Sequence, residues 1–77
     1  MSDRVALAKA NVERAVQETG AVWTVEVHRL LDGYMLRLSK GRRTFVRSGI
    51  DERVLEDDWS SARDRLMDDA RQELEAP

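Results

Sequence analysis

Between residues 22 and 31 the apolar side chains fall at every second position, while on both sides of that stretch they recur every three or four. A change of period constrains a short chain strongly, because a strand repeats every two residues and a helix about every 3.6. In the alternating stretch Trp23, Val25 and Val27 take one side, and Thr24, Glu26 and His28 the other. Asp32 and Gly33 follow, a pair suited to the two central positions of a type I′ hairpin turn, where both φ angles are positive. A second strand is expected over Tyr34 to Ser39, with Tyr34, Leu36 and Leu38 on one face and Met35, Arg37 and Ser39 on the other. Lys40, Gly41 and Arg42 make the next turn and lead into a third strand over about residues 43 to 48, rich in the β-formers Thr44, Phe45 and Val46. Phe45 and Val46 are neighbours, so they point to opposite faces and only one of them can face the core.

The flanking segments read as helices. Ser2 is suited to cap the first and Asp3 to its positive end, and Val5, Ala8, Val12, Ala15 and Val16 form a thin stripe of small side chains. Thr19 and Gly20 supply the left-handed stop. After the sheet, Ser48 to Asp51 is a capping-box variant that starts a second helix around residue 49 or 51. Its stripe is Leu55, Trp59, Ala62, Leu66, Ala70 and Leu74, with Met67 beside it. One long helix is expected, the alternative being a break between Asp57 and Ser61 with Asp58 or Ser60 as a new cap. The fold expected is therefore α+β, a two-layer sandwich in the order helix, strand, strand, strand, helix, with a three-stranded antiparallel sheet and both helices on one face. Its core is expected to contain Val5, Val12, Val16, Trp23, Val25, Val27, Leu36, Leu38, Leu55, Trp59, Leu66 and Leu74.

At 77 residues the chain has room for one core and one domain. It has no cysteine, which removes disulfides, thiolate metal sites and cysteine nucleophiles. No apolar run approaches the roughly 18 to 20 residues that span a bilayer, the candidate near Val22 being broken by Thr24, Glu26 and His28. Asp3, Arg4 and Lys9 interrupt any signal-peptide core, so no membrane association and a cytoplasmic location are expected.

Catalysis is not expected. The single histidine, His28, falls on the polar side of its strand, and no spacing between it and a carboxylate resembles a metal-ligand pattern. Ser39, Ser60 and Ser61 have no evident base, and the four glycines fall singly at element ends rather than in a phosphate-cradling run. No metal and no cofactor is therefore expected.

Charge is the informative feature. The formal net charge of -2 conceals a segregation: residues 28 to 48 hold six Lys and Arg against Asp32 alone, whereas from residue 51 onward ten Asp and Glu face four Arg. The acidic segment, through Asp57, Asp58, Asp64 and Asp68, suggests a non-catalytic protein-interaction module, an adaptor or small inhibitor that binds a basic protein partner. The ordinary alternative for such residues is a solvated helix face. The basic hairpin offers a second reading: Arg37, Lys40, Arg42, Arg43 and Arg47 could neutralise nucleic-acid phosphates, with Phe45 stacking a base if it points outward. Charged edge strands also guard against sheet-to-sheet aggregation, which explains the same residues without a ligand. A third reading is a homodimer through the open sheet face around Met35 and Phe45 or Val46.

The helix, sheet, helix order resembles the topology of double-stranded RNA-binding domains, which contact phosphates across the grooves of the duplex. The resemblance implies a lysine cluster opening the second helix. Here that place holds Asp51, Glu52 and Arg53, followed by Glu56, Asp57 and Asp58. Carboxylates there repel phosphate, so the resemblance extends to topology and not to function.

Overall fold

The computed structural model describes residues 4–76. Its first helix, α1, covers Arg4–Glu18 and buries Ala8, Val12, Ala15 and Val16. Ser2 and Asp3, the expected opening of this helix, lie outside the described residues. At the other end the Thr19 hydroxyl donates to the Val16 carbonyl at 2.7 Å, and Gly20 turns the chain at φ 77°. Three strands follow, β1 (Thr24–Leu30), β2 (Gly33–Lys40) and β3 (Arg43–Ile50), paired antiparallel in the order β1-β2-β3.

The register sets the two faces. Val25 lies opposite Leu38, which lies opposite Phe45, and Val27 lies opposite Leu36. Val27, Tyr34, Leu36, Leu38 and Phe45 are buried, whereas Thr24, His28, Arg37, Thr44 and Val46, at the alternate positions, are exposed. α1 contacts β1 and the last helix contacts β3 and β2, and the apolar strand positions are buried in one core with residues of these helices, while the alternate positions form the wet face.

Both hairpins turn in two residues, but the first differs from the type I′ expectation. The chain reverses over Leu31 and Asp32, neither of which has positive φ, and Gly33 opens β2 at φ 134°. Leucine is strained at positive φ, so the one positive angle falls on the glycine. Gly33 is also a point of close approach, where a Cβ would stand 2.1 Å from the Ile50 carbonyl oxygen. In the second turn Gly41, at φ 60°, precedes Arg42 at negative φ, the φ pattern of a type II′ turn.

β3 runs two residues further than the sequence suggests. Tyr34 pairs with Ile50 and Leu36 with Arg47, so Ser48 and Gly49 together oppose Met35 as a bulge, with Gly49 at φ 70°. The second helix therefore does not begin at residue 49. Asp51 caps it instead, its side chain accepting from the Arg53 amide at 2.9 Å.

The single long helix is replaced by a one-turn helix α2 (Glu52–Leu55) and a helix α3 (Trp59–Leu74). A continuous helix would bond the Leu55 and Glu56 carbonyls to the amides four residues on. Here Asn11 on α1 donates its side-chain amide to both, at 2.9 and 3.4 Å. The Glu56 side chain, only 4% exposed, turns inward to accept from Arg4 at 3.1 Å and from the Tyr34 hydroxyl at 3.1 Å. Asp58 occupies the N-cap position of α3, but its side chain makes no capping bond.

The break resets the helical phase, so Met67 is buried and Leu66 only partly so. Of the expected core, Val12, Val16, Trp23, Val27, Leu36, Leu38, Leu55, Trp59 and Leu74 are buried, while Val5, Val25 and Leu66 pack at its margin. Tyr34, Phe45, Met67 and the alanines Ala8, Ala15 and Ala70 complete it.

Candidate interaction surfaces

The cations of the β2–β3 hairpin are largely engaged within the chain. On the wet face Arg37 lies directly opposite Glu26, with its Nε 3.6 Å from the carboxylate, and His28 approaches the same carboxylate at 3.5 Å. On the helix side Arg47 reaches Glu73 at 3.2 Å and Lys40 reaches Glu75 at 3.9 Å, while Arg43 donates to the Ala76 carbonyl. Arg42, exposed in the turn, has no ion-pair partner among the described residues.

Phe45 is fully buried, so of the two arrangements that the sequence leaves open the chain takes the one in which this ring is not exposed to stack a base. The register puts it against Leu38 on the core side, and its neighbour Val46, against Arg37, takes the wet face. The Arg47 guanidinium lies over the ring at 4.3 Å from the centroid, so that arginine closes the core edge as well as pairing with Glu73. With Phe45 inside, the apolar atoms of the open sheet face are those of Leu30, Val46 and the half-buried Met35, interspersed with Glu26, His28 and Arg37.

The acidic side chains are less engaged. Asp57, Asp58, Asp64 and Asp68 are all exposed. Asp64 is 89% exposed and among the described residues pairs only with Arg63, at 3.6 Å, and Arg63 also reaches Glu18 on α1 at 3.2 Å. Among the described residues Asp57, Asp58 and Asp68 have no ion-pair partner. The seven-residue interval from Asp57 to Asp64 carries no helical phase, because Asp57 lies in the break. Asp64 and Asp68 do lie one turn apart on α3, and they border a groove of about 370 Å³ between α1 and α3 into which the buried side chains of Ala15 and Met67 also open.

The polar cluster around Glu56 has no counterpart in the sequence reading. The available signal is Tyr34 itself: a tyrosine on the core face of a strand needs an acceptor for its hydroxyl. Its pKa is raised above the ordinary phenol value, first by burial and then by donating to Glu56, whose charge adds to the shift. The fold therefore favours the neutral phenol, and this contribution to stability is complete below the ordinary tyrosine pKa of about 10 and lost as pH rises through the raised value. The chain has one tyrosine, so tyrosinate absorbance follows a single group. Its midpoint in the folded protein is expected above that of the urea-unfolded chain, and Tyr34→Phe should remove this part of the alkaline loss of stability. A folded midpoint at or below the unfolded one contradicts the placement.

Among the described residues no group of three or more His, Asp or Glu side chains is arranged to hold a metal ion, and no helix is long and apolar enough to cross a membrane. Comparison with protein-family models, with curated proteins and with solved structures finds no match for this chain, so a functional reading rests on its surfaces alone.

Proposed function

We propose that the protein is a non-catalytic, cytoplasmic interaction module, an adaptor or small inhibitor, that binds a basic protein partner through Asp57, Asp58, Asp64 and Asp68. The observation that carries this reading is the unequal use of charge within the chain: the hairpin cations are mostly paired internally, whereas these carboxylates face solvent with little compensation. An uncompensated surface field steers a partner of opposite sign and sets which partners are rejected.

The test is capture from a nuclease-treated native lysate, comparing the wild type with a variant carrying Asp57→Asn, Asp58→Asn, Asp64→Asn and Asp68→Asn. Neutralisation relieves the repulsion between Asp64 and Asp68 at i,i+4 and breaks no side-chain cap at Asp58, so the variant is expected to fold. A basic protein retained at moderate salt is expected to fall about tenfold or more with the quadruple variant and to be unaffected by Arg37→Gln with Arg42→Gln. Retention that survives neutralisation of the carboxylates, or that disappears with nuclease, rejects the reading.

A further inference from the structure

Lys40 and Arg43 stand directly opposite one another across the β2–β3 turn, and Arg47 follows Phe45 on the same, helix-side face. Like charges directly opposite in a sheet repel, so this arrangement needs an anion close by. The chain supplies one from the end of α3: Glu75 for Lys40, Glu73 for Arg47 and the Ala76 carbonyl for Arg43. We propose that Lys40, Arg42, Arg43 and Arg47 form a surface for nucleic-acid phosphates that this acidic C-terminal turn covers in the free protein.

The chemistry of the cover supports that occupant. Two carboxylates and a carbonyl oxygen present acceptors to guanidinium and ammonium groups, as phosphate oxygens do. The pairs are weakly held, since the four charged side chains are between 34% and 50% exposed. Exposed pairs contribute little, so a polyanion offering several phosphates can displace them. Arg42, at the tip of the turn and without an ion-pair partner among the described residues, is available for first contact. With Phe45 buried, no ring stacks a base, and binding rests on the phosphate backbone without regard to sequence. This surface is separate from the acidic residues of the proposed protein-binding site, and either can fail without the other.

The probe is a fluorescently labelled oligonucleotide, single-stranded and duplex, titrated by anisotropy over a series of salt concentrations. The variant Glu73→Gln with Glu75→Gln uncovers the surface, and Asp64→Asn with Asp68→Asn makes the same change in net charge elsewhere on the molecule. Both Glu73 and Glu75 are exposed and Leu74 is left in the core, so the fold is retained. Deletion of residues 75–77 provides a second way to uncover Lys40 and Arg43. Uncovering is expected to tighten binding about fourfold, roughly a factor of two for each of the two exposed pairs released. It should also steepen the log–log salt dependence by about 1.4 for a single strand or about 1.8 for a duplex, the value for two more phosphates neutralised. Adding Lys40→Gln and Arg42→Gln should return the affinity to that of the wild type. An equal gain in the Asp64 and Asp68 variant, no gain on uncovering by either route, or a gain that survives Lys40→Gln and Arg42→Gln overturns the proposal.

Discussion

Gly33→Ala is expected to destabilise the fold by about 3 kcal/mol or more, a large part of the roughly 4 to 12 kcal/mol that a chain of this length can be assigned at ordinary per-residue stability. Two effects act together. A Cβ at Gly33 would lie 2.1 Å from the Ile50 carbonyl oxygen and 2.9 Å from its carbon, and neither backbone atom can rotate aside as a side chain could. The residue also sits at φ 134°, a region L side chains rarely adopt. Relief requires moving the end of β3, and with it Asp51, which caps α2. Gly41→Ala is the control: its φ is 60° but a Cβ there meets nothing within 4 Å, so only the conformational cost of about 1 to 2 kcal/mol remains. Urea unfolding followed by tryptophan fluorescence measures both. Equal losses in the two variants would show that the approach of Gly33 to Ile50 does not govern this corner of the fold.

Phe45→Ala should remove about 3 to 5 kcal/mol, whereas Val46→Ala should stay within about 0.5 kcal/mol of the wild type. Phe45 is fully buried beside Leu38, and its loss leaves a cavity under Arg47, which also loses the ring it covers. Val46 is 44% exposed on the wet face, where truncation opens no void. The contrast is a direct reading of strand register, because a slip of one residue exchanges the two side chains between faces and reverses the result. Thermal or urea denaturation of the two variants side by side is sufficient, and a larger loss for Val46→Ala would place β3 in the other register.

Those two residues also mark where the amino-acid sequence stops being informative. The first two strands were legible because their alternation is unambiguous, with Trp23, Val25 and Val27 set against Thr24, Glu26 and His28. The third was legible as a strand but not in its phase, since two adjacent apolar residues satisfy either phase and the choice is made by Leu38 on the neighbouring strand. The turn after β1 falls one position earlier than Asp32 and Gly33 suggest, because their local preference competes with a geometry that includes Ile50, seventeen positions beyond Gly33. Gly49 likewise reads as a helix-start residue, yet serves a bulge opposite Met35.

The helix break is the plainest case of a feature set from a distance. Nothing between Leu55 and Trp59 forbids helix, and Asp58 does not make a capping bond. The carbonyls that would have continued the helix are taken by Asn11, 44 and 45 positions earlier in the chain, and Glu56 is drawn inward by Arg4 and Tyr34. As for the candidate surfaces, the segregation of charge was evident from composition along the chain. That Glu73 and Glu75 return to the hairpin while Asp64 and Asp68 do not is a matter of which residues at the end of α3 and just after it face β2 and β3, and helical phase could not settle it once the break had reset the count.

The β1-β2-β3 order has a further consequence, for how quickly such a chain can find its fold. Each strand pairs with its neighbour in sequence across a two-residue turn, so the whole sheet closes through very short loops. Closure entropy is smallest there, and sheets built this way avoid the slow search that distant strand partners impose. What remains non-local is the return of the C-terminal segment, both to α1, where Asn11 meets Leu55 and Glu56 and Arg63 meets Glu18, and to the sheet, where Glu56 meets Tyr34 and Glu73 meets Arg47. The contacts of this molecule thus divide into a local meander and a long-range seam, and the polar contacts that interrupt its last helix are part of that seam.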